Sequence, residues 1–240
     1  MEYVFLNNMA LIKGINPPKS SLGFEKMSKI CDAAEALFDK NGFYGTSITD
    51  ICKLAKIAVG TFYIYFQDKA SIYNYLVRNY YVVIKNYLRK HIQGCKTRYE
   101  AEREGIKAFI RFGHEHPQCY KIIWGSSHID PALFEEYYTQ FAQSYILALK
   151  KYDAELTDID CTTAAWCLMG IANFVCLRTI FTHKRLTEKR LDFLTGEVMK
   201  LLSNGLFRRP PPGESLPGPP LPEGCQAGVS RRRAGRLVKV

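Results

Sequence analysis

The chain has 240 residues and a net charge of +10, from 33 Lys and Arg against 23 Asp and Glu, with eight Cys and 47% hydrophobic residues. That length is ample for a core in one or two domains, and the apolar content excludes a disordered chain or a collagen repeat. Residues 1–23 lack the apolar run of a signal peptide, and the longest uncharged apolar stretch, Ala164–Leu177, is shorter than the roughly 20 residues that span a bilayer, so a cytoplasmic protein without a membrane partner is expected.

Almost no stretch alternates with a period of two, whereas an apolar period of about 3.6 residues recurs through the body, which predicts an all-α fold of about nine helices. Residues 1–23 form an amino-terminal arm, from which Lys13 and Lys19 are candidates to reach a groove of nucleic acid. Ile30, Ala33, Ala34, Leu37 and Phe38 mark one face of the first helix, and Gly42 stands at its stop position. Thr46 or Ser47 opens a second helix, with Asp50 as the capping-box acceptor and Ile48, Ile51, Cys52 and Ala55 as its inner stripe. A third, at about 58–65, carries Val59, Phe62, Tyr63 and Phe66 at i, i+3, i+4 and i+7.

Longer helices follow at about 69–92, with Ile72, Leu76, Val83 and Tyr87 inward, and at about 98–115, where Pro117 imposes the end. A short helix near 117–125 precedes one that starts at Pro131 and reaches Tyr152. The last two cover about 158–182, apolar nearly all round, and about 187–206, with Leu191, Leu194, Val198, Leu201 and Leu202 as a stripe. Residues 208–240 hold seven of the eleven prolines and half the net charge, and read as a disordered tail. Their Pro, Gly and Arg bias differs from the Ile, Lys, Asn and Tyr bias of the body, which points to a non-native segment rather than a basic nucleic-acid-binding arm. The cysteines form no C-x-x-C pair, and Cys161, Cys167 and Cys176 fall on apolar faces, as reduced thiols used as small hydrophobes do.

The informative stretch is Thr46–Lys69, TSITDICKLAKIAVGTFYIYFQDK. Two short helices joined by a few residues and backed by a third match a helix-turn-helix, whose second helix enters a major groove. Its outer face is Ala58, Gly60 and Thr61 with part of Tyr63 and Tyr65, small residues and hydroxyls suited to close approach. At these residues the chain resembles the tetracycline-repressor (TetR) family of bacterial regulators. The likeness is carried by Ala34, Leu37 and Phe38, by Gly42-Phe43, by Thr46-Ser47, and by the run Gly60-Thr61-Phe62-Tyr63-Ile64-Tyr65-Phe66-Gln67-Asp68-Lys69.

The resemblance implies a DNA-binding helix-turn-helix domain at 24–68 and a ligand-binding and dimerisation domain at 69–207. It places Thr46, Ser47 and Thr49 at phosphates or a base, Gly60, Thr61 and Tyr63 toward the groove, and Tyr65 and Lys69 at phosphate clamps, with Phe62 and Phe66 packing inward. Two features depart from the family pattern: Lys56 stands where glycine often makes the turn, and Ala58-Val59 replace a polar start to the recognition helix, shifting base reading toward thymine methyls. Charges between Phe24 and Ala70 cancel, six Lys against six acids, so affinity depends on placement and dimerisation.

Most aromatics between Phe109 and Tyr145 read as core. The family's pocket implies that Phe109, Phe112, Trp124, Tyr138 and Phe141 contact an apolar or aromatic small-molecule effector. Glu135 and Glu136 are candidates to offset a cationic ligand, although a solvated face is the plainer reading. His114, His116 and Cys119 do not converge as metal ligands, and His91, His128 and His183 are scattered. No catalytic constellation is present, so no cofactor, metal or enzyme activity is expected. The expected protein is a homodimeric, ligand-responsive repressor of a palindromic double-stranded DNA operator, paired through the helices near 158–182 and 187–206. The rivals are an architectural or chromosome-associated DNA binder without a ligand, and an interaction module or enzyme on a helical scaffold.

Overall fold

The computed structural model describes residues 13–182 and 185–204. His183, Cys225, most of the expected arm and the expected tail lie outside them. Among the described residues there are nine α-helices and no strand. They are α1 (Ser21–Asn41), α2 (Ile48–Ala55), α3 (Val59–Tyr65), α4 (Lys69–Ile92), α5 (Arg98–Glu115), α6 (Pro117–Ile129), α7 (Pro131–Lys150), α8 (Cys161–Phe181) and α9 (Glu188–Asn204).

Local chemistry sets most boundaries. Side-chain oxygens of Ser20, Ser47, Asp68, Thr97, Asp130 and Asp160 each accept from a backbone N–H in the following first turn, which removes an orphan donor. Gly42, at φ 72°, ends α1. Pro117 and Pro131 occupy first-turn positions of α6 and α7. Helix α6 runs to Ile129 rather than stopping near 125, because Gly125 continues the helix where a Cβ would lie 2.8 Å from the Tyr73 hydroxyl oxygen. Helix α7 stops at Lys150, and the expected extension to Tyr152 becomes a turn leading to a 3-10 segment at Asp153–Glu155.

One apolar core joins α1, α2 and α3 to α4, α6 and α7 without a break, with Met27, Ile30, Ile51, Phe62, Phe66, Ile72 and Leu76 fully buried. A second core joins α5, α8 and α9 around Ile106, Ile110, Cys176, Leu191 and Val198. Cys176 is buried as expected, whereas Cys167 is exposed, because α8 turns that side away from the core. Part of the arm is also docked. Ile15 is buried, the Asn16 N–H donates to the Tyr65 carbonyl at 2.8 Å, and the Gln67 N–H donates to the Gly14 carbonyl at 2.9 Å. Lys13 and Lys19 remain exposed.

The α5–α8 crossing is set by Gly113, where an added Cβ would lie 2.3 Å from the Cys176 Sγ and 2.9 Å from the Tyr120 ring. Gly113→Ala is therefore expected to destabilise the chain by about 1–3 kcal/mol in urea unfolding, with Cys176→Ala in the same chain recovering part of the loss.

Candidate nucleic-acid interface and ligand cavity

Ser47 and Asp50 build the capping box that starts α2: the Asp50 N–H donates to Ser47 Oγ, and the Ser47 N–H donates to Asp50 Oδ2, each at 3.1 Å. Hydrogen bonds from Ser47 hold the Asp50 carboxyl below its usual pKa. The turn after α2 passes through Lys56 at φ 56° and ψ 47°, the left-handed conformation that glycine adopts without strain. Helix α3 begins at Ala58 with no side-chain cap and is anchored by Phe62 and Phe66, both fully buried.

This anchoring turns the opposite side of α3 to solvent. Gly60 and Tyr63 are exposed, with Tyr63 at 50%, and Thr61 is half-buried beside them. Ser47 and Thr49 are exposed on α2. Val59, expected on the inner stripe, is 43% exposed, and Ile64 is exposed as well. The helix is too short to bury four positions, and Phe62 and Phe66 already fill the contact. The outer face thus carries more aliphatic surface than periodicity implied. Tyr44 and Leu54 are also exposed, the Tyr44 ring lying edge-on to that of Phe43 at 5.3 Å.

Three residues expected at DNA point elsewhere. Thr46 is buried, and its hydroxyl lies 2.8 Å from the Gly42 carbonyl and 3.2 Å from that of Leu37, closing the end of α1. Tyr65 is buried against the start of α1. The Lys69 ammonium donates to the carbonyls of Phe43 and Thr46, both at 2.7 Å, and lies 4.4 Å from the Phe43 ring centre. Thr46 and Lys69 are drawn inward by carbonyls at the corner between α1 and α2, to which both donate.

Between α4, α5, α7 and α8 lies a cavity of about 250 Å³. Phe109, Tyr138 and Phe141 line it, while Phe112 and Trp124 line a smaller adjoining space of about 20 Å³ that Phe109 and Tyr138 share. Lys85 and Arg89 from α4 and Arg98 from α5 also line the larger cavity. Glu135 and Glu136 do not. Glu135 is exposed, and Glu136 is paired in a fork with Arg78 (Nη2–Oε2 2.6 Å, Nε–Oε1 3.1 Å). His114 is spent on structure, its Nε2 accepting from the Leu186 N–H at 3.3 Å.

Helix α6 stands between the smaller space and α1. Tyr120, Ile123 and Trp124 line that space, while Gln118 donates to the buried Glu35 carboxylate at 2.8 Å and Lys121 pairs with Asp39 at 2.8 Å. The Tyr73 hydroxyl of α4 donates to the Ile122 carbonyl at 2.5 Å. Burial raises that hydroxyl's pKa well above its ordinary value.

Residues 30–76 match the family model described as bacterial regulatory proteins of the tetR family. An HTH-type transcriptional regulator of Bacillus subtilis (strain 168), YttP, is 26% identical over 125 residues, which cover 50% of this chain and 60% of that protein. The fatty acid degradation regulator FadR from Bacillus halodurans superposes with a TM-score of 0.68 at 18% identity, covering 80% of this chain and 100% of that one. FadR from Bacillus subtilis, solved in complex with stearoyl-CoA, superposes with a TM-score of 0.60 at 17% identity, covering 75% and 100%. The two superpositions identify the fold, with its amino-terminal helix-turn-helix and helical remainder.

Two substitutions separate the roles at this site. Thr46→Val keeps the volume but removes the buried donor, and is expected to cost about 1–2 kcal/mol in thermal unfolding. Lys56→Gly relieves the left-handed turn and is expected to raise stability by up to ~1 kcal/mol in the same measurement.

Proposed function

The chain belongs to the TetR family of bacterial regulators through its amino-terminal residues, and on that premise we propose that it is a homodimeric transcriptional repressor that reads a palindromic operator and is released by a small molecule. The observation that carries this reading is the path of α4. At its first residue Lys69 clamps the helix-turn-helix corner, and further along Lys85 and Arg89 line the cavity. A single helix of 24 residues, roughly 36 Å long, therefore touches both the DNA-reading unit and the ligand space. A ligand that favours one position of α4 and α6 changes the spacing of the reading heads, and only one spacing fits grooves separated by about 34 Å or a multiple of it.

Dimerisation supplies the second head. Trp166, Phe174 and Phe181 on α8 and Phe193 on α9 are exposed, and Gly170 and Gly196 leave open space where a Cβ would stand. Helix α8 is long and apolar enough to cross a membrane by length and composition. Pairing with the same helices of a second copy covers this face in the manner of a four-helix interface. On α3 and α2, Gly60, Thr61, Tyr63 and Thr49 are the proposed groove and phosphate contacts, with Val59 beside them for thymine methyls. Thr46, Tyr65 and Lys69 are assigned to holding α3 in position rather than to direct contact through their side chains.

Phe109, Phe112, Trp124, Tyr138 and Phe141 are the proposed contacts of an apolar effector, and the stearoyl-CoA held by the similar FadR of Bacillus subtilis supports an apolar ligand in a fold of this kind. The cavity itself favours a ligand-responsive regulator over an architectural DNA binder, which has no need of one.

Thr61→Ala with Tyr63→Ala is expected to abolish salt-dependent binding to fragments of the protein's own promoter region in electrophoretic shift assays, while sedimentation still gives a dimer. Phe174→Glu with Phe193→Glu is expected to give single chains in sedimentation and to weaken the same DNA binding more than tenfold, since two half-sites are no longer read together.

A further inference from the structure

The cavity between α4, α5, α7 and α8 has an asymmetry of charge. Its lining includes three cations, Lys85, Arg89 and Arg98, and no acidic side chain. The rest is mainly apolar, including Ile106, Phe109, Phe141 and Met169.

Arg98 is the most constrained of the cations. It is only 9% exposed, its Nη2 is paired with the Glu102 carboxylate, and its guanidinium lies 5.2 Å from the Tyr145 ring centre. Its Nε is buried and has no hydrogen-bond partner. Glu102 does not supply one: one carboxylate oxygen pairs with Arg98 Nη2 and the other accepts from the Tyr145 hydroxyl. A buried guanidinium N–H without an acceptor is costly, and because Arg98 lines the cavity, a small turn of its side chain would let an acceptor on a ligand relieve that cost. Lys85 adds to the same demand, since its ammonium beside the cavity donates to a hydroxyl, that of Tyr81 at 3.0 Å, rather than to a carboxylate.

We propose that the ligand of this cavity is an anionic amphiphile, an apolar chain carrying a carboxylate or phosphate head. The chain packs on Ile106, Phe109, Phe141 and Met169. The head lies among Lys85, Arg89 and Arg98, which raise the positive potential around it, and accepts from Arg98 Nε once that side chain turns to the space. A neutral ligand leaves Arg98 Nε unpaired and strips water from Lys85, whereas a cationic ligand meets three like charges and no carboxylate in the lining. The proposal rests on the reading of this cavity as the effector site.

The test is calorimetric titration of the full chain with octanoate, octyl phosphate, octanol and octyltrimethylammonium. At least one of the two anions is expected to bind tenfold or more tightly than octanol, and whichever anion binds more tightly identifies the head group. Lys85→Gln with Arg89→Gln is expected to reduce that preference severalfold. Arg98→Gln with Glu102→Gln, which removes the buried charge pair together and is checked for folding by circular dichroism, is expected to abolish it. Equal affinity for octanol, tighter binding of the ammonium, or an anion preference unchanged in both double variants overturns the proposal. Absence of binding by all four compounds overturns the effector-site reading beneath it.

Discussion

A single ammonium group closes the corner on which the geometry of the reading head depends. The chain turns sharply between α1 and α2, and a turn of this kind leaves carbonyls pointing into the protein with no helical donor to meet them. Lys69 donates to two of them, those of Phe43 and Thr46, and lies against the Phe43 ring, while the Thr46 hydroxyl donates to the Gly42 carbonyl at 2.8 Å. Because Lys69 is also the first residue of α4, the same contacts fix the start of that helix to the helix-turn-helix.

The middle of α4 is held differently. Tyr73 reaches across to the backbone of α6, but the hydroxyls of Tyr75 and Tyr80 and the amide of Asn79 are buried without partners. Burial raises the pKa of both hydroxyls, so they stay neutral at any ordinary pH. Each unsatisfied group forgoes roughly 1–3 kcal/mol relative to a paired one. The packing of α4 thus sets bonded groups, Asn74 with Asp130 and Arg78 with Glu136, beside buried ones that no partner satisfies.

The helix ends were legible from the chain because they are local. A serine followed three residues later by an aspartate, a proline at a first turn, and a glycine after an apolar stripe each act on their own backbone neighbours, and the capping box at Ser47, the start of α7 at Pro131 and the stop at Gly42 need nothing from the rest of the molecule. The strained turn was equally legible, since only the backbone around Lys56 decides it. Phe62 and Phe66, the aromatics four residues apart on one side of α3, are buried as the spacing implied.

What the amino-acid order determined by itself was thus the all-helical plan, the helix-turn-helix and the aromatic pair that anchors α3. Tertiary structure decided the rest. Periodicity says that a side chain leaves a helix on a given side, but not which carbonyl or ring waits there, so Tyr65 turned inward and Val59 outward against the local pattern, and Thr46 and Lys69, which the resemblance placed at DNA, bond to the protein's own backbone. The charged cavity was hidden for the same reason. Lys85 and Arg89 on one helix and Arg98 on the next look like ordinary solvated charges in the chain, and only the packing of α4, α5, α7 and α8 places them in the lining of one apolar space.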